Sequence, residues 1–120
     1  WSACRVVQSW RVADVGCGTG CCGWALQGAT RGIIACDISQ GMVEQAVAAR
    51  VYESVVQMEA ATFLAQQPPA SLDLVVAADV LPYIWDISHV LAAAAQALTE
   101  GGIMAFTTEE PMREVTETAW

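Results

Sequence analysis

The sequence predicts an α/β fold built on a mainly parallel sheet, and three observations lead there. Short apolar runs alternate with Ala-rich or amphipathic stretches along the chain, as successive strand and helix units require. The runs are nearly all apolar rather than alternating with polar residues, the pattern of strands covered on both faces. Hydrophobic residues make up 55% of the chain and charged residues only 15%, a balance that suits a packed core and not a disordered segment.

Arg11-Val12-Ala13-Asp14-Val15 is the first strand candidate; it ends at Gly16, and Gly18, Gly20 and Gly23 follow. A short helix from about Cys21 to Ala29 comes next, weakened by Gly23. Gly32 to Cys36 is a second buried run that stops at Asp37, and Ser39 is a suitable N-cap for a helix from about Gln40 to Arg50. Ser54 to Met58 reads as a third strand, followed by a helix around Ala60 to Gln66 that Pro68-Pro69 must end. Leu72 to Ala78 is a fourth strand. An Ala-rich helix from Ile87 to Leu98 has Gly101-Gly102 just past its end, and Ile103 to Thr107 is a fifth strand.

Length and charge bound the function. At 120 residues the chain is expected to be one domain, spanning 1–120, and below the size an α/β enzyme with its own substrate site normally needs. It begins Trp1-Ser2-Ala3-Cys4-Arg5, without Met or a signal-peptide pattern, and reads as a partial domain, part of a longer chain. Thirteen acidic residues against five basic ones give a net charge of -8, which repels a phosphate backbone, so no direct nucleic-acid binding is expected. No stretch reaches the roughly 18 apolar residues of a membrane span.

The cysteines Cys4, Cys17, Cys21, Cys22 and Cys36 are odd in number and lack a second pair or nearby histidines for a metal; the one histidine, His89, lies in a different helix. They read as reduced, small buried residues of a cytoplasmic protein, with no metal site.

The chemistry concentrates at Asp14-Val15-Gly16-Cys17-Gly18-Thr19-Gly20. Alternate glycines directly after a strand let the backbone turn sharply and lie against a ligand without Cβ interference. Asp37 stands at the end of the second strand, 17 residues beyond Gly20, where a carboxylate can accept both hydroxyls of a ribose.

Here the chain resembles the class I, Rossmann-like S-adenosylmethionine-dependent methyltransferases. Asp14 to Gly20 is similar to the first motif of that family, and Ile34-Ala35-Cys36-Asp37-Ile38-Ser39 to the second. Gln57-Met58-Glu59-Ala60 resembles the adenine-contacting turn after the third strand. Asp73 to Leu81 resembles the fourth-strand motif, and Ala97-Leu98-Thr99-Glu100-Gly101-Gly102 the glycine pair before the fifth strand. Several motifs in the family's order are far more specific than any one of them.

The resemblance implies a three-layer αβα sandwich with five strands present and the closing strands missing, and S-adenosyl-L-methionine as cofactor. It implies that Gly16, Cys17, Gly18 and Gly20 wrap the methionine portion and that Asp14 orients the loop. Asp37 would hold the ribose hydroxyls, Ile38 and Met42 would pack near the adenine, and Glu59 with the backbone of Ala60 would meet the adenine edge. Ala78 and Asp79 would border the methyl-transfer site. The family more often has Gly-Asp where this chain has Met58-Glu59. The implied reaction is in-line transfer of the donor methyl to an O, N, C or S nucleophile of a small-molecule or protein acceptor, with the reacting atoms held about 3 to 3.5 Å apart and aligned. No catalytic base is assigned.

Two other readings share these residues. Gly18-x-Gly20-x-x-Gly23 with Asp37 also satisfies the dinucleotide fingerprint of an NAD(P)-binding oxidoreductase, but the turn begins at Gly16, two residues before that frame. A Rossmann-like binding module without activity is the third reading. Asp79, just before Leu81-Pro82, reads equally as a substrate-side carboxylate or a turn cap. His89 reads as a solvated residue in a first helical turn. Trp10, Trp24 and Trp85 read as packing residues, since no basic residues interleave with them.

Element order and resemblance together place the first strand at the centre of the sheet, the fourth beside it and the fifth at an open edge. The 120-residue chain is therefore expected to self-associate in solution through that edge and uncovered apolar surface. Light scattering at high concentration checks this, and a monodisperse monomer would contradict it.

Overall fold

The computed structural model describes residues 10–26, 28, 30–78 and 87–106. The elements run β1 (Arg11–Val15), α1 (Cys21–Leu26), β2 (Gly32–Asp37), α2 (Gln40–Ala49), β3 (Ser54–Gln57), α3 (Ala60–Ala65), β4 (Leu72–Ala77), α4 (Ser88–Ala97) and β5 (Leu98–Phe106). The five strands form one sheet in the order β3-β2-β1-β4-β5, with every neighbouring pair parallel. β1 is central, β4 lies beside it and β5 is at an edge, as the sequence predicts.

Strand alternation assigns the two faces. Ala13, Val15, Ile34, Cys36, Val56, Val75, Ala77 and Met104 pack with Phe63 and Leu64 of α3 and Val90, Ala94 and Ala97 of α4 into the main core. On the other face Ala35 and Val55 meet Ala46 of α2, together with Cys17 and Tyr52. Helices thus cover both sides of a parallel sheet, the three-layer arrangement expected. The order of strands reverses at β1, whose carboxyl end therefore opens onto the crevice where open α/β sheets bind ligands.

Local chemistry sets the ends of the elements. Ser39 caps α2 as expected, its hydroxyl accepting from the Met42 amide at 3.3 Å, and Arg50 closes that helix in the left-handed region with φ 59°. Gln66 ends α3 ahead of Pro68-Pro69. The last turn of α4 is joined to the segment before β4, because the Ala70 and Ser71 amides donate to the carbonyls of Gln96 and Ala97 at 3.0 and 2.8 Å.

Three expectations need correction. α1 is shorter than the sequence pattern allows, stopping at Leu26, and Gly28 takes a positive φ of 81° in the following turn. β5 begins at Leu98 rather than Ile103, because Leu98 turns extended straight out of α4 and pairs with Leu72. An irregularity between Leu72 and Leu74 then absorbs the change of register, with Gly101 at φ 85°. Gly101-Gly102 lie inside the strand, and a Cβ on Gly102 would come within 2.9 Å of the Thr99 carbonyl oxygen. Trp24 is 61% exposed on α1 and so does not pack, whereas Trp10 is half-buried; Trp85 lies outside the described residues.

Along β5, Ile103 and Phe106 are about half exposed, at 48% and 50%. Among the described residues no helix is long and apolar enough to cross a membrane.

Ala70 adopts φ 56°, where an L side chain crowds its own backbone at a cost of roughly 1–2 kcal/mol. Ala70→Gly is expected to raise unfolding stability by about 1 kcal/mol, after allowance for the extra freedom of glycine in the unfolded chain. Urea denaturation checks it; an unchanged or lower midpoint at equal slope would contradict the assignment.

Candidate functional site

The turn after β1 is shaped by its glycines and pinned from β2. Gly16, Gly18 and Gly20 take φ values of 70°, 55° and 101°, a left-handed path that side chains resist. The Gly16 and Cys17 amides both donate to the Cys36 carbonyl, at 2.8 and 3.0 Å. The Gly18 amide donates to Asp37 Oδ2 at 2.9 Å, and the Ser39 amide donates to Asp37 Oδ1 at 2.9 Å. Two adjacent residues at the end of β2 therefore hold three successive amides of the turn.

This geometry suits a ligand rich in hydroxyls. Each Asp37 oxygen accepts one backbone N–H and keeps a further lone pair for a hydroxyl donor. A Cβ built on Gly18 would meet no protein atom within 4 Å, so the space beside the turn is open to a ligand; at Gly20 a Cβ would lie 3.6 Å from Ala49 and Tyr52.

β3 brings further candidates to the same end of the sheet. The Met58 amide donates to the Asp37 carbonyl at 3.0 Å, and Gln57 Nε2 donates to the Ile38 carbonyl at 3.1 Å. Ile38 is 72% exposed and Met42 half-buried in the first turn of α2. The Glu59 carboxylate caps α3: its Oε1 accepts from the Thr62 amide at 3.2 Å and from the Thr62 hydroxyl at 3.0 Å. Ala60, the next residue, is buried in the core.

On the other side of β1, Ala78 lines a depression of about 180 Å³ with Cys22, Val76, Ala105 and Phe106, at the carboxyl ends of β4 and β5. Asp79 lies outside the described residues. His89 is exposed in the first turn of α4.

Asp14, which the resemblance gives the task of orienting the loop, is buried at the end of β1 directly before it. The amides of Gly16, Cys17 and Gly18 donate to Cys36 and Asp37, while the Asp14 carboxylate, 1% exposed, accepts from the Tyr52 hydroxyl at 2.6 Å. Burial pushes its carboxyl up from 3.8 to about 6; the Tyr52 hydrogen bond opposes that rise and the nearby Asp37 charge adds to it. Tyr52 is driven upward by burial and by the proton it shares with Asp14. The Cys17 thiol is pushed up to about 12 by burial first, then by the Asp14 and Asp37 charges, and Cys36 likewise by burial. Both thiols are neutral and unsuited to nucleophilic attack. Sequence reasoning missed Tyr52. Its only signal is a polar-tipped aromatic just before a strand, and nothing in the spacing joins it to Asp14.

A family model described as a methyltransferase domain matches residues 13–104. The chain belongs to this family. It has the Rossmann-like fold of S-adenosylmethionine-dependent methyltransferases, whose methyl donor is S-adenosylmethionine, and the nicotinamide reading is not favoured. The methyltransferase domain is 30% identical over 110 residues to the biotin biosynthesis bifunctional protein BioHC of Saccharophagus degradans, covering 87% of this chain and 19% of that protein. It is similar to the crystal structure of an S-adenosylmethionine-dependent methyltransferase from Mesorhizobium loti, at 30% identity and a TM-score of 0.68, over 88% of this chain and 51% of that one. The YcgJ protein of Bacillus subtilis shares the fold, at 20% identity and a TM-score of 0.74, over 88% and 47%. The methyltransferase domain thus spans about half the length of these solved structures and about a fifth of the curated relative.

The buried Asp14 gives the methyltransferase domain a pH-dependent stability. A carboxyl whose folded pKa exceeds its unfolded value binds its proton more tightly in the folded state. Its stabilising contribution is full below about 3.8 and is lost as pH rises through about 6. In Asp14→Asn that loss disappears, so the stability of the variant relative to wild type should rise by about 3 kcal/mol between about pH 3.5 and pH 7. Chemical denaturation across that range checks it, and a constant difference would contradict the shifted carboxyl.

Proposed function

We propose that this domain binds S-adenosylmethionine across the carboxyl ends of β1, β2 and β3 and presents its methyl to a small-molecule or protein acceptor. The observation that carries the reading is Asp37: a carboxylate at the crevice, fixed by two backbone amides at 2.9 Å and retaining acceptor capacity on both oxygens. When bound, S-adenosylmethionine supplies an activated methyl group.

The chain's own residues bind and orient. Asp37 accepts the ribose hydroxyls. Gly16, Cys17, Gly18 and Gly20 lie along the methionine portion, where the open space beside Gly18 admits the ligand. Ile38 and Met42 offer apolar contact to the adenine. Glu59 remains a candidate for the adenine edge from its place at the start of α3, with the backbone of Ala60 beside it. Ala78 borders the acceptor side, and the resemblance gives Asp79, outside the described residues, the same role. The domain acts as one unit over residues 1–120, and the net charge of -8 weighs against nucleic acid as a direct partner. Free thiols at Cys17 and Cys36 support a reducing, cytoplasmic setting, which fractionation of a tagged protein would test.

Asp37→Ala removes two charge-assisted hydrogen bonds to the ligand and should weaken S-adenosylhomocysteine binding by roughly 2 to 4 kcal/mol, about thirty- to a thousand-fold. Gly18→Val should do comparable damage, since it places a branched side chain in the open space and strains a φ of 55°. Calorimetric titration of the complete protein with S-adenosylhomocysteine and with NADH, alongside circular dichroism, is the check. Unchanged S-adenosylhomocysteine affinity in folded Asp37→Ala, or a wild-type preference for NADH, would overturn the reading.

A further inference from the structure

Tyr52 stands between α2 and β3, two residues before the strand. Its height against the sheet is set by its neighbour, because the Glu53 amide donates to the Ile33 carbonyl at 2.7 Å. From there it reaches the elements on both sides of the cofactor turn, β1 and α1. Its hydroxyl donates to Asp14 Oδ2 at 2.6 Å. Its ring occupies the place a side chain would take at Gly23, where a Cβ would come within 2.6 Å of the ring carbon Cζ, and a Cβ built on Gly20 would lie 3.6 Å from the same ring. Gly23 is therefore a glycine for Tyr52 and Val51, the latter at 2.7 Å, and not for a ligand, whereas Gly18 faces open space.

We propose that Tyr52 is a positioning residue for the cofactor: it ties the end of the glycine turn and the start of α1, at Gly20 and Gly23, to the Asp14 carboxylate of β1, so that the loop favours a cationic ligand. The inference rests on the reading of the site as an S-adenosylmethionine site.

The charges around Asp14 make Tyr52 the opposing influence. Asp37 is a like charge that favours protonation of Asp14, and the thiols of Cys17 and Cys36 are neutral. The Tyr52 hydroxyl is the hydrogen-bond donor that holds the Asp14 proton affinity down. Without it the carboxyl takes a proton at a higher pH, and the negative charge under the loop is lost where the sulfonium and amino group of the ligand would benefit from it.

The test is calorimetric titration of the complete protein with S-adenosylmethionine from about pH 5.5 to pH 7.5, comparing wild type, Tyr52→Phe and Asp14→Asn. Wild-type affinity should fall as pH drops through about 6. Tyr52→Phe keeps the ring against Gly23, so the fold should survive, but affinity at about pH 7.5 should drop by about three- to ten-fold and the acid loss should begin at higher pH. Asp14→Asn should bind weakly with no acid loss in that range, which tests the charge even if the tyrosine variant is unstable. A Tyr52→Phe profile matching wild type, or lowered by one factor at every pH, would overturn the inference, as would a wild-type affinity that does not vary with pH. Absence of any wild-type binding to S-adenosylmethionine would instead overturn the functional reading on which it rests.

Discussion

The end of β2 governs this site. The Cys36 carbonyl and the Asp37 carboxylate accept the amides of Gly16, Cys17 and Gly18, at 2.8, 3.0 and 2.9 Å. A turn with repeated positive φ leaves its N–H groups pointing away from any regular ladder, and such groups need partners. Supplying them from the neighbouring strand fixes the turn before any ligand arrives, so less ordering remains to oppose binding. The pairing of β1 with β2, from Arg11 opposite Gly32 to Val15 opposite Cys36, is what brings those acceptors into reach.

Packing on the two faces of β1 divides the labour. One face, with Ala13 and Val15, belongs to the main core under α3 and α4 and anchors the strand. The other carries Asp14, a buried charge in the midst of an apolar sheet, answered by Tyr52. Placing a carboxylate there opposes folding at neutral pH, and residues that disfavour folding while bordering a ligand site are where function is expected to be found.

Much of the fold was legible in the sequence because parallel strands buried on both faces leave nearly unbroken apolar runs, such as Leu74 to Ala77 in β4. The glycine turn and Asp37 were legible for a different reason: backbone at positive φ selects glycine, and a carboxylate closing a strand is conspicuous. What stayed hidden depends on tertiary contact. The early start of β5 comes from pairing between Leu98 and Leu72, and no local pattern encodes it. Trp24, read as packing, is exposed on a helix too short to bury it. The link from Tyr52 to Asp14 crosses 38 positions of sequence, and the capping of α3 by Glu59 competes with the adenine role its place in the motif implies.

The proposed site is a preformed turn beside Asp37, built to receive S-adenosylmethionine. The most direct measurement is an amide NMR titration of the isotopically labelled complete protein with S-adenosylhomocysteine and, separately, with NADH. S-adenosylhomocysteine should move the amide resonances of Gly16, Gly18, Gly20 and Ser39 together, while those of β5 stay in place and NADH leaves the turn unchanged. Movement of the turn by NADH alone, or S-adenosylhomocysteine shifts that avoid Gly18 and Ser39, would contradict it.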